Sequence, residues 1–190
     1  LYYRAMRRPG FEADRFALME RDMASGATRE IAPDWDRSAD GIVLSADGGT
    51  IYTTAQDLGQ HPLFAVDVAS GQVRQLVGDG SVSAFGIADD TLVFTRNTLR
   101  SVVKPFNYQE GRKYPVAFLI HGGPQGSFGN GWSYRWNPQT YAGQGYAVVM
   151  IDFHGSTGYG QAFTDAISQH WGDRPLEDLQ RGWDHALATY

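Results

Sequence analysis

Two continuous apolar runs mark the second half of the chain, residues 115–120 (P-V-A-F-L-I) and 146–151 (Y-A-V-V-M-I). Uninterrupted runs of this length, bounded by turn residues, predict strands buried on both faces, as in a parallel sheet. Between them, residues 125–131 predict a glycine-rich loop. Residues 132–142 predict a helix carrying aromatic side chains, ended by Gly143-Gln144-Gly145. The first half has a different rhythm. Short segments separated by turn residues predict antiparallel strands, among them a hairpin over residues 42–52 around the D-G-G turn. The pattern D-M-A-S-G-A-T-R-E-I at 22–31 returns as D-V-A-S-G-Q-V-R-Q-L at 67–76, a shift of 45 residues. Each copy predicts a strand, a Ser-Gly turn and a second strand, and an aromatic strand precedes each, at 1–3 and 51–54. Period, turn chemistry and strand number are those of β-propeller blades. A generic meander with coincident turns is the plainer alternative, and the retained D-x-A-S-G argues against it. Asp89-Asp90 and Arg96-Asn97 fit simple turns and loops. Near the end, Leu176, Leu179, Trp183, Ala186, Leu187 and Tyr190 predict one buried helix face, with Pro175, Glu177 and Asp178 suited to its first turn.

Both apolar runs empty into polar, glycine-rich segments: His121-Gly122-Gly123-Pro124 after the first, D-F-H-G-S-T-G-Y-G at 152–160 after the second. Carboxyl ends of parallel strands are where open α/β sheets bind ligands. A strand running into H-G-G is how many α/β-hydrolases build half of an oxyanion hole. Glycine suits the task because a Cβ would obstruct a backbone N–H aimed into a crowded pocket. A plain glycine turn after a buried strand is the competing reading.

No G-x-S-x-G elbow occurs in the 190 residues. Ser156 lacks the elbow's first glycine, whose place His154 holds, so a turn-capping or loop-bonding role is expected for it. Ser127 lies in the glycine-rich loop and is likewise not expected to be a nucleophile. His170 and His185 are assigned to helices, as packed or solvated side chains. No His, Asp or Glu spacing matches a metal-ligand set, so neither metal nor cofactor is expected.

Composition narrows the partners. A net charge of −5, a pI near 5.4 and no basic stripe argue against nucleic acid. No apolar stretch approaches the roughly 18 residues that span a bilayer. With no cysteine, disulfide and thiol chemistry are excluded, and redox usage does not report the compartment. No signal-peptide layout is visible, and the expectation is a soluble protein of cytoplasm or periplasm.

Residues 114–124 (Y-P-V-A-F-L-I-H-G-G-P), 145–160 (G-Y-A-V-V-M-I-D-F-H-G-S-T-G-Y-G) and W-G-D at 171–173 together resemble the prolyl oligopeptidase family. The similarity is to its acylaminoacyl peptidases and related bacterial dipeptidyl peptidases, over residues 104–190. His154 departs from the pattern, since the family usually carries arginine there. The resemblance implies β-propeller blades (all-β) followed by the N-terminal part of an α/β-hydrolase domain. About two blades would occupy residues 1–101, and the hydrolase portion, without its nucleophile elbow, residues 102–190. It further implies a serine peptidase that cleaves short peptides through an acyl-enzyme. Gly123 would donate an oxyanion N–H, Gly122 would belong to the same loop, and His121 would be structural.

The serine, aspartate and histidine would follow Tyr190, leaving these residues inactive alone. Two blades cannot close a propeller, and a hydrolase sheet needs more strands than two. Only residues 96–101 separate the last propeller strand from the hydrolase entry, so a break or omitted segment is expected at about 97–102. A non-catalytic, propeller-containing peptide-binding protein with a degenerate hydrolase domain is the alternative. Short peptides are the expected partner, with homo-oligomerisation and the choice among dipeptides, acyl-amino acids and internal fragments left open.

Overall fold

A computed structural model describes residues 1–88, 91–97 and 102–189. The first half is built from antiparallel sheets. Strands β1 (Tyr2–Ala5), β2 (Ala17–Arg21) and β3 (Thr28–Glu30) form one, in that order. A second contains β4 (Val43–Leu44), β5 (Thr50–Thr54), β6 (Leu63–Asp67) and β7 (Val73–Val77), again in chain order. Strands β8 (Ser81–Ala88) and β9 (Thr91–Asn97) pair as a third. Arg96 and Asn97 therefore end a strand instead of lying in a loop. Asp89 and Asp90 lie outside the described residues, as does the 98–101 part of the junction expected to hold a break.

The repeat is one turn used twice. Asp22 Oδ1 accepts the Ser25 N–H at 2.6 Å and its hydroxyl at 2.7 Å. Asp67 Oδ1 accepts the same groups of Ser70 at 2.7 and 2.6 Å. Both turns then need a left-handed residue, and Gly26 and Gly71 each have φ +74°. Between the two sheets, Leu18, Ile31, Ala32, Ala39, Ile51, Val66 and Val68 form a closed apolar core, flanked by Tyr2, Trp35, Ile42 and Val73. Gly71 touches the neighbouring sheet so closely that a Cβ would overlap the Ile31 carbonyl oxygen.

The second half centres on a mixed sheet in the order β10 (Val102–Val103), β12 (Ala147–Met150), β11 (Val116–Leu119). β11 and β12 are adjacent and parallel, pairing Val116 with Ala147 through Leu119 with Met150. Val148 and Val149 are buried, whereas every residue of β11 is only half-buried. β11 is an edge strand among the described residues, so part of its surface stays open.

The helix expected over residues 132–142 is shorter, α1 (Pro138–Gly143). Pro138 fixes its first turn, and Asn137 caps it by accepting the Gln139 N–H at 3.0 Å. The residue before a proline is driven out of helical geometry, which leaves Trp132, Tyr134 and Trp136 in irregular chain. After α2 (Gln161–Asp165) comes α3 (Arg174–Thr189). His170 precedes α3 instead of sitting in a helix; its Nδ1 meets Asp173 at 2.8 Å.

The buried face of α3 also differs from the expected stripe. Pro175 and Ala186 are buried, Leu179, Gly182 and Trp183 are half-buried, and Leu176 and Leu187 are exposed. Gly182 sets this rotation. Without a Cβ it lets the helix settle directly on Ile151, and Trp183 meets the Phe118 ring edge-on at 5.6 Å. Tyr190 lies outside the described residues.

Candidate active site

The β11–β12 register brings the two glycine-rich segments together. Leu119 opposite Met150 puts His121 and Asp152, two residues further along each chain, side by side at the carboxyl ends of their strands. The Asp152 side chain is 7% exposed and that of His121 9%. Asp152 Oδ2 accepts the Ser127 hydroxyl at 2.8 Å and the Tyr159 hydroxyl at 2.9 Å. Its Oδ1 accepts the Phe128 N–H at 3.1 Å and lies 3.4 Å from His121 Nε2. Burial pushes this carboxyl up, but His121, the Phe128 N–H, Ser127 and Tyr159 outweigh it, and Asp152 sits below the usual carboxylate range. The same burial, with the Asp152 charge, raises the Tyr159 phenol.

His121 belongs to this network. Its Nδ1 faces the Gly122 carbonyl at 3.0 Å, and its Nε2 the Ser156 hydroxyl at 2.9 Å. The ring stacks on Phe153 with centroids 4.5 Å apart and meets Phe128 edge-on at 5.2 Å. Ser156 is wholly buried: its N–H donates to Phe153 O at 2.8 Å, and its carbonyl accepts the Thr164 hydroxyl. Ser127 is spent on Asp152 and the Gly129 N–H. Both serines are thus bonded into the loop scaffold. His154 holds Asp178 of α3 through its backbone N–H at 2.7 Å and its Nδ1 at 2.5 Å, and stacks on Phe163.

Gly122 and Gly123 differ in what their positions demand. A Cβ on Gly122 would meet nothing within 4 Å. Gly123 has φ +132°, and a Cβ there would stand 3.0 Å from Gln125 N and 3.2 Å from Gly126 N. Glycine is therefore required at Gly123, and not by local geometry at Gly122. Neither N–H donates to an acceptor among the described residues. Gly122 lines a cavity of about 740 Å³ together with Ile120, Phe128, Trp136 and Tyr159, while Gly123 is exposed beside it.

Leu58 and Gly59, from the first half, complete that wall. Asp57 and Gln60 exchange backbone hydrogen bonds of 3.0 Å around them, and φ is +49° at Leu58 and +72° at Gly59, a tight turn with both central residues left-handed. The Leu58 N–H donates to Gly158 O at 2.9 Å, and Asn130 Nδ2 to Gln60 Oε1 at 2.7 Å. Thr157 bonds Gln56, and Gln161 bonds Asp36 and Ala13 O.

Asp152, Tyr159 and the 57–60 turn escaped the sequence reading. One signal could have found Asp152: it follows its apolar run as closely as His121 follows the other. Nothing in the sequence pairs Tyr159 with Gly59.

The profile of the prolyl oligopeptidase family matches residues 132–190. The chain is 32% identical to dipeptidyl-peptidase 5 of Aspergillus fumigatus, a match covering 97% of the chain and 33% of the relative. That match extends over 240 residues, at least 50 more than this chain contains. Among solved structures, Pyrococcus horikoshii acylaminoacyl peptidase superposes with a TM-score of 0.80 at 21% identity, covering 97% of this chain and 36% of that one. An acylaminoacyl peptidase in complex with Z-Gly-Gly-Phe-chloromethyl ketone superposes with a TM-score of 0.78 at 22% identity, covering 93% and 34%. The chain spans about a third of the length of the curated relatives it matches. Its fold is that of β-propeller blades leading into the start of an α/β-hydrolase domain.

Proposed function

The chain belongs to the prolyl oligopeptidase family, and from that premise we propose that it is part of a serine peptidase that cleaves short peptides through an acyl-enzyme. Residues 1–101 form its propeller portion and residues 102–190 the opening of its catalytic domain. The serine, its histidine base and its aspartate are supplied by sequence following Tyr190. Further blades belong at about residues 97–102, and an alignment longer than the chain supports an omitted segment.

Gly123 contributes one donor of the oxyanion hole and Gly122 leads the chain into it. When the serine attacks a peptide carbonyl, the oxygen becomes an anion, and a prepaid N–H at that point stabilises the transition state by about 3 kcal/mol. The N–H following the nucleophile gives the second bond. One observation carries this reading: the loop forces Gly123 into a conformation only glycine adopts, at the carboxyl end of β11, with its N–H unspent among the described residues. The apolar wall of Ile120, Phe128 and Trp136 beside it suits a side chain of the bound peptide.

The test uses the full-length enzyme. Gly123→Val should lower kcat by about 10²–10³ with a smaller change in KM, because the lost contact exists only in the transition state. A serine-directed phosphonate should label a serine outside residues 1–190. Labelling at Ser127 or Ser156, or no labelling with peptide binding retained, would replace this reading; the latter outcome is that of a peptide-binding protein with a degenerate hydrolase domain.

A further inference from the structure

The first half reaches into the site through one short turn, and its contacts end on the oxyanion loop. Leu58 is held left-handed, with φ +49°, a conformation that a Cβ disfavours. Its N–H is tied to Gly158 O, next to Tyr159. Gly59 leaves so little room that a Cβ would stand 3.3 Å from the Tyr159 hydroxyl and 3.6 Å from Asp152 Oδ2. Tyr159 donates to Asp152. Asp152 in turn holds the Ser127 hydroxyl and the Phe128 N–H, four and five residues after Gly123. The chain of contacts is unbroken from blade turn to oxyanion loop.

We propose that Tyr159 is a positioning residue, which, pressed by the 57–60 turn of the propeller and acting through Asp152, holds the loop carrying Gly123 in its catalytic geometry. This inference rests on the oxyanion role assigned to Gly123. The Tyr159 hydroxyl is given to Asp152. It fixes the carboxylate that anchors the loop's far side, and the propeller thereby shares in setting the reaction rate.

Tyr159→Phe and Gly59→Ala in the full-length enzyme test this from both ends. Tyr159→Phe removes one hydroxyl at nearly constant volume, and Gly59→Ala drives a methyl group against that hydroxyl. Each should lower kcat about tenfold while KM stays within about twofold, and slow phosphonate labelling in parallel, since a misplaced loop weakens the transition state. Hydrogen exchange read on the same full-length proteins should show faster exchange of the Phe128 amide in both variants. Unchanged kcat and unchanged Phe128 exchange would overturn the proposal, as would a rise in KM with kcat intact. A wild-type enzyme that no phosphonate labels would instead sink the peptidase reading, and the exchange measurement would still decide whether the turn braces the loop.

Discussion

Replacing Gly71 with alanine should destabilise the protein far more than the same change at Gly26. The two glycines occupy equivalent places in the repeated turn and share φ +74°. Alanine in that conformation costs about 1–2 kcal/mol at either site. Their surroundings differ. At Gly26 the nearest atom to an added Cβ is Arg21 Nη2 at 3.8 Å, an ordinary contact. At Gly71 the Cβ would overlap the Ile31 carbonyl oxygen and stand 3.2 Å from its carbon.

Relief requires the two sheets to part by about 1 Å. That loosens the core of Leu18, Ile31, Ile51 and Val66 behind the turn, and overpacking of this kind adds about 1–3 kcal/mol. Gly71→Ala should therefore lose about 2–5 kcal/mol and Gly26→Ala only the shared 1–2 kcal/mol. With a urea slope of about 2 kcal/mol/M, the midpoints should fall by about 1–2.5 M and 0.5–1 M respectively. Equilibrium urea unfolding, followed by tryptophan fluorescence and far-ultraviolet dichroism together, measures both. Equal midpoint shifts would refute the idea that the close approach of successive sheets distinguishes the two turns.

Two further outcomes follow from particular contacts. Gly182→Ala should destabilise despite alanine's helix preference of about 1 kcal/mol, because its methyl collides with Ile151; adding Ile151→Val should reverse the sign, and a failure to do so in thermal unfolding would show the helix is not seated there. His61 is half-buried, which lowers its basicity, but its Nε2 lies 2.5 Å from Asp40 and its Nδ1 2.8 Å from Val82 O, so the charged form wins and the ring's pKa is raised. The stabilisation is complete below the unfolded value near 6.5 and is lost as pH rises through the higher folded value, so His61→Gln should cost more stability at about pH 5.5 than at about pH 8.5; an equal loss at both would refute the pairing.

The sequence by itself determined the elements whose causes are local. An apolar run between turn residues makes a strand, and β11 and β12 formed where the runs stand, although the depth of burial was not local: β11 is only half-buried. The Asp-x-x-Ser-Gly turns at 22–26 and 67–71 close through bonds within five residues, so their repetition was legible without any fold. The His121-Gly122-Gly123 turn was legible for the same reason: Gly123 needs a backbone that only glycine adopts, and that need is written into consecutive residues.

Tertiary structure alone decided what depends on partners distant in the chain. The β11–β12 register set Asp152 beside His121, and the close seat of Gly182 on Ile151, not the spacing of leucines, rotated α3 so that Leu176 and Leu187 face outward. Tyr159 and Gly59 stand a hundred positions apart, and no local preference predicts their contact. The physical division is between interactions closed within one turn, which a sequence carries intact, and interactions closed across packed sheets, which depend on distances set only when the whole chain has folded.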